Sequence, residues 1–265
     1  MNLIHRFSDS ITSRFIHPWQ KENFARTGYG RQLKQYKDKH AGQRCFFIGN
    51  GPSLRAEDLT KLQEAGEITF AFNRIYNIFD QTSWRPDYYV SVDEKMLLGC
   101  AETVDHLDLP VKFIPINMRW YHGITIHDAV EFLMNAPREE NGKPLDFSGN
   151  AASVVYQSGT CMYAAAQIAA YMGFTELYLI GVDHHFQISQ NNKGEILVDP
   201  SVKDYFSDKY NEDKETLYIP NTEKSTMTYL AMKQHCSQRD IQVYNATRGG
   251  RLEVFPRVDF DSLFV

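Results

Sequence analysis

Apolar residues fall along the chain in two registers. Up to about residue 40 they recur at helical spacing and lead to Gly28-Tyr29-Gly30. From residue 44 they gather into short continuous runs bounded by turn residues. Arg44-Cys45-Phe46-Phe47-Ile48 reads as a buried strand ending in Gly49-Asn50-Gly51-Pro52-Ser53, and Asp58 to Ala65 as a short helix. Ile68 to Phe72 is a second strand ending at Asn73, Tyr88 to Val92 a third ending at Asp93, and Val111 to Ile116 a fourth ending near Asn117. Thr160 to Met172 is an alanine-rich helix closed by Gly173. Leu177 to Ile180 is a fifth strand, leading into Gly181-Val182-Asp183-His184-His185. Ser225 to Arg239 is a further helix, and Ile241 to Tyr244 a last strand ending at Asn245.

Continuous apolar strands alternating with helices predict an α/β, Rossmann-like fold: a mostly parallel sheet with helices on both faces. The expected organisation is an N-terminal helical arm over residues 1–42 and a nucleotide-binding domain over 43–265. Ligands of such sheets bind beyond the carboxyl ends of the strands. Polar residues stand at those ends here: Asn50, Ser53, Asn73, Asp93, Asn117, Asp183, His184, His185 and Asn245. Any one of them can be an ordinary turn residue; the ring of them points to a site.

The 265 residues are 43% hydrophobic and 23% charged, the composition of a globular chain able to bury a core without staples. The start carries no apolar signal core, and no run reaches membrane-span length, so the expectation is a cytoplasmic protein. The four scattered cysteines, Cys45, Cys100, Cys161 and Cys236, form no CxxC and read as reduced and buried. Net charge is -5, split unevenly: residues 1–40 hold eight Lys or Arg against three acidic residues, and the rest is acidic. A basic arm suits peripheral contact with the inner membrane face or an acidic partner; a solvated helix packed on the domain is the alternative. Overall acidity argues against nucleic acid as a partner.

Glycines in Gly49-Asn50-Gly51-Pro52-Ser53 allow close backbone approach, and amides ahead of a helix attract phosphate, although the loop is neither G-x-G-x-x-G nor a P-loop. Gln157-Ser158-Gly159-Thr160 opens the alanine-rich helix. Ser158 or Thr160 either caps it or meets a ligand phosphate. Asp183-His184-His185 offers acid–base groups or a phosphate contact. Metal binding is disfavoured because adjacent histidines on extended backbone point apart. Residues 187–219 are polar with Tyr205, Phe206, Tyr210 and Tyr218 interleaved, a pattern for a lid that orders over ligand. Asp259-Phe260-Asp261 has the D-x-D form but lies in the tail, away from the strand ends.

Several segments together resemble one superfamily: Gly-Asn-Gly-Pro-Ser-Leu at 49–54, Phe-Asn-Arg-Ile-Tyr at 72–76, Pro-Asp-Tyr-Tyr-Val-Ser-Val-Asp at 86–93, and Ser158-Gly159 leading to Gly181-Val182-Asp183. The chain resembles the bacterial domains grouped with archaeal 6-hydroxymethylpterin diphosphokinases, and is similar to Campylobacter-type sialyltransferases over roughly residues 43–263. The resemblance implies a metal-independent glycosyltransferase using a nucleotide-activated, CMP-type sugar donor. Its acceptor would be a glycan or lipid-linked sugar in surface polysaccharide or glycoconjugate synthesis. Gly49, Asn50, Gly51, Ser53, Asn73, Ser158, Gly159, Thr160 and Asp183 would then hold the nucleotide, with His184, His185 and Asp93 as candidates for the chemistry. The general-base histidine of the sialyltransferases is absent: its place reads Ile219-Pro220-Asn221-Thr222. The diphosphokinase side of the superfamily implies instead ATP with Mg²⁺ held by Asp93 and Asp183. A nucleotide-binding module without chemistry is the third reading.

Overall fold

The computed structural model describes residues 16–211 and 217–264. Arg6 and Arg14 of the basic segment, and Glu212, Asp213, Lys214 and Glu215 of the expected lid, lie outside them. The centre is a seven-stranded sheet: β1 (Arg44–Ile48), β2 (Ile68–Phe72), β3 (Tyr88–Val90), β4 (Lys112–Pro115), β5 (Ala129–Phe132), β6 (Glu176–Ile180) and β7 (Gln242–Asn245). The order is β7-β6-β1-β2-β3-β4-β5, and every pairing is parallel. The fold is α/β and Rossmann-like. β5, whose run is interrupted by Glu131, was not expected; that carboxylate is buried against Arg119 Nε at 2.9 Å.

Alternation within each strand feeds two cores. Cys45, Phe47, Phe70, Phe72, Tyr88, Leu177 and Leu179 point to one face. Phe46, Ile48, Ala71, Tyr89, Tyr178 and Ile180 point to the other. Because both faces are covered, the strands read as unbroken apolar runs. Among the described residues the helices are α1 (His17–Glu22), α2 (Gly28–Lys34), α3 (Ala56–Glu64), α4 (Glu94–His106), α5 (Ile116–His122), α6 (Cys161–Tyr171) and α7 (Thr222–Ser237). α6 and α7 cover the first face, whereas α3, α4 and the tail around Phe260 cover the second. The described part of the segment expected as an arm, residues 16–42, is packed into the first face: Phe24 and Leu33 are each 1% exposed. Among the described residues no helix is long and apolar enough to cross a membrane. The four cysteines are free thiols, three of them buried.

From β1 the chain winds through β2, β3, β4 and β5 to one side, then returns to place β6 and β7 on the other. The winding therefore reverses between β1 and β6, the place where such sheets open a crevice at their carboxyl edge.

Candidate functional site

A cavity of about 610 Å³ opens at that reversal, beyond the carboxyl ends of β1, β2, β3 and β6. Every site residue expected from the sequence lines it except Ser53. The ring of strand-end residues narrows, however. Asn117 is bonded both ways to the Met134 backbone at 3.0 Å, and Asn245 to Leu252 and Thr247. Asn117 lies in the first turn of α5 and Asn245 at the end of the edge strand β7, and neither lines the cavity.

The Gly49–Ser53 loop does a different job from the phosphate cradle expected of it. Gly49 N donates to Ile180 O and Gly51 N to Gly181 O, each at 2.8 Å, so the ladder between β1 and β6 continues into the loops. Ser53 N and Oγ donate to Asp183 Oδ2 at 3.3 and 2.7 Å, and Leu54 N donates to Gly51 O. These amides are committed within the protein, and the helix that follows starts only at Ala56. A side chain on Gly49 would lie 2.3 Å from Gly181 O. The glycine is required there for close approach of two backbones.

What the loop does present is Asn50, 9% exposed. Its Nδ2 donates to Phe72 O at 3.0 Å, while its buried Oδ1 has no partner. Gln157 Oε1 on the opposite wall is likewise buried and unpaired. A buried acceptor left unmatched costs about 1–3 kcal/mol, so the cavity is suited to a ligand bearing hydroxyl or amino donors. The Gln157 loop is held by Gln167, whose amide meets Ser148 N, Tyr156 N, Tyr156 O and Tyr163 O at 2.7–2.9 Å.

Asn73, at φ 51°, accepts at Oδ1 from Ser91 Oγ (3.1 Å) and at its carbonyl from Tyr89 Oη (2.8 Å). Asp93 caps α4 by accepting from Met96 N at 3.0 Å; burial pushes its carboxyl above the usual range. Burial likewise raises Asp183, against the Ser53 bonds that lower it. Thr160 caps α6, accepting from Met162 N. Ser158 Oγ donates to Glu139 Oε1 at 3.0 Å, and Glu139 is 3.5 Å from Lys224 Nζ. Lys224 belongs to the first turn of α7 and lines the cavity. Sequence reasoning missed this cation; the signal was its place just after the segment where a base was sought. Asn221, in that segment, caps α7 by accepting from Lys224 N at 2.8 Å.

His185 Nε2 lies 3.1 Å from Asp199 Oδ2. His184 Nε2 lies 2.7 Å from Thr226 Oγ1, and burial lowers the pKa of its imidazole, favouring the neutral ring. Within the 187–219 segment Tyr205, Tyr210, Leu217, Tyr218 and Ile219 line the cavity, whereas Ile196, Leu197 and Val198 are exposed. Tyr205 and Tyr210 stack with centroids 3.7 Å apart. Phe206 N donates to Asn50 O, and Arg74 Nη1 to Tyr210 O. Tyr218 stays exposed at the rim under Lys95 Nζ, 4.2 Å from its ring. Asp259 and Asp261 lie elsewhere: Asp261 pairs with Arg248 and Lys61.

The sequence matches the family described as 6-hydroxymethylpterin diphosphokinase MptE-like over residues 20–189, well over half of the chain. The chain belongs to this family. No curated protein matches it. Among solved structures it is similar to the MAf glycosyltransferase from Magnetospirillum magneticum AMB-1. Identity is 14% and the TM-score 0.49, over 88% of this chain and 38% of that one. The chain thus spans well under half the length of that protein.

Asp93 and Asp183, the carboxylates that a nucleotide-bound Mg²⁺ would need, both line the cavity. Among the described residues no group of three His, Cys, Asp or Glu converges as a metal centre. Asp93 is engaged as a cap and Asp183 by Ser53.

Proposed function

We propose that this chain is a glycosyltransferase that takes a sugar from a CMP-type nucleotide donor and passes it to a hydroxyl of a glycan or lipid-linked acceptor. The observation that carries the reading is the unpaired, buried Oδ1 of Asn50 in the switch-point cavity, which suits a ribose hydroxyl or base amine. The segments resembling sialyltransferases meet in that cavity. His184, neutral through burial, is the base: it takes the acceptor proton as the hydroxyl oxygen bonds to the anomeric carbon and the bond to the nucleotide phosphate breaks. Lys224 supplies positive charge near the leaving phosphate.

Family membership favours a second reading, pyrophosphoryl transfer from ATP to a pterin-type alcohol. A thermal-shift panel separates the two. Stabilisation by CMP or CDP without metal, lost in Asn50→Ala, supports sugar transfer; stabilisation only by ATP with Mg²⁺ overturns it. If CMP binds but His184→Ala leaves the cellular glycan unchanged, the chain is a binding module.

A further inference from the structure

His184 holds a left-handed backbone, φ 54°, uncommon outside glycine and a frequent mark of a functional position. The backbone beside it is fixed by Arg251 N donating to Asp183 O at 2.7 Å, and its ring meets Tyr229 edge-on at 5.6 Å. The Nε2 contact with Thr226 settles more than orientation. Thr226 lies on the first turns of α7, and its Oγ1 is 2.8 Å from the carbonyl of Thr222, one turn back. A carbonyl has no proton to offer, so the single hydroxyl proton goes to Thr222. Toward the imidazole the hydroxyl oxygen then acts only as acceptor. Nε2 carries the proton of the neutral ring, and the lone pair resides on Nδ1. That nitrogen makes no hydrogen bond among the described residues and belongs to a residue lining the cavity.

We propose that Thr226 is a positioning residue: with its proton committed to Thr222, it fixes His184 as the Nε2–H tautomer and presents Nδ1 to the attacking hydroxyl. The inference rests on His184 being the base of the proposed reaction. In that step the acceptor O–H bond breaks and the proton goes to Nδ1. The oxygen forms its bond to the anomeric carbon, and the electron pair of the broken glycosyl–phosphate bond leaves with the nucleotide. The imidazolium so formed keeps its Nε2–H bond to Thr226. The arrangement performs with a neutral hydroxyl the orienting task a carboxylate performs in other base–orienter pairs. The same tautomer serves any transfer begun by a hydroxyl, so it does not depend on which nucleotide is the donor.

The test is two-bond ¹H–¹⁵N correlation NMR on the ¹⁵N-labelled full chain at about pH 7.5, with His184→Gln to assign the signal. The expected spectrum shows His184 protonated at Nε2. Thr226→Val, nearly isosteric, is expected to lose that signature and give mixed or Nδ1–H tautomers, and Thr226→Ser to restore it, with melting curves showing that both variants fold. Protonation at Nδ1 in the unaltered protein overturns the proposal, as does an unchanged Nε2–H signature in Thr226→Val. CMP binding by calorimetry on the same samples reads the parent hypothesis separately: an Nε2–H ring in a chain that ignores CMP leaves the tautomer lock standing and removes the CMP donor.

Discussion

The Ser53 hydroxyl donates to Asp183 Oδ2 at 2.7 Å and thereby ties the loop after β1 to the loop after β6, across the point where the sheet reverses. Two residues with the look of ligand contacts in sequence are each other's partner. A hydrogen bond to a charged acceptor contributes about 2 kcal/mol. Ser53→Ala is therefore expected to lower Tm by about 4–8 °C while changing CMP affinity by less than about 3-fold. Calorimetry and a melting curve on one variant check both parts; a large affinity loss at unchanged Tm would return Ser53 to the ligand.

Gly159 brings the loop before α6 close against α7. Its φ is 50°, and a Cβ there would lie 2.3 Å from Oγ1 of the buried Thr228. Backbone strain of about 1 kcal/mol adds to a clash that the core absorbs poorly. Gly159→Ala is expected to cost about 3 kcal/mol or more in denaturant unfolding. Gly28→Ala, in α2 with open space around its Cβ, is expected to be neutral or stabilising by up to about 1 kcal/mol. Equal effects would refute the steric account.

Glu139 occupies the hydroxyl of Ser158 and faces the ammonium of Lys224, where an anionic ligand group would sit under the proposed function. Both side chains are substantially exposed, so the pair contributes about 0.2–1 kcal/mol. Glu139→Gln is expected to tighten CMP binding by about 2–5-fold, and Lys224→Met to weaken it by at least as much. Cytidine, which lacks the phosphate, should respond to neither; titration calorimetry with both ligands decides.

Local pattern made much of this legible. β1, β2, β3, β4 and β6 announce themselves because burial on both faces keeps each run mostly apolar, with Thr69 and Lys112 as buried exceptions. α6 does so through its alanines, nine of whose eleven residues are buried. β5 was missed because Glu131 is neutralised by Arg119, a partner twelve positions away that periodicity cannot register. The candidate site residues, Ser53 apart, line one cavity, yet the bonds that several of them make were not legible. Whether the amides of Gly49 and Gly51 face a phosphate or a neighbouring strand depends on strand order, which no local window carries. Thr226 and Lys224 look like an ordinary helix start until the fold brings that start to the end of β6.

The lowered pKa of His184 also makes stability depend on pH, with a definite sign. Above the ordinary imidazole value of 6.5, folded and unfolded chains both carry a neutral ring and the residue contributes no pH dependence. Below it the unfolded chain takes up the proton first, because burial opposes charging the folded one. Stability then falls as pH falls, and the decline ends once the folded ring titrates as well. The slope from one such group is at most about 1.4 kcal/mol per pH unit. His17 and His235 are lowered too and act in the same sense, so the informative quantity is a difference between proteins. His184→Gln is expected to lose less stability than the unaltered chain between about pH 7.5 and 5.5 in urea unfolding. Asp93 and Asp183, raised by burial, act in the opposite sense by favouring the folded state on protonation, and they do so equally in both proteins. Parallel curves for the two proteins would mean that the fold does not hold His184 neutral, and would remove the ground for treating it as a base at neutral pH.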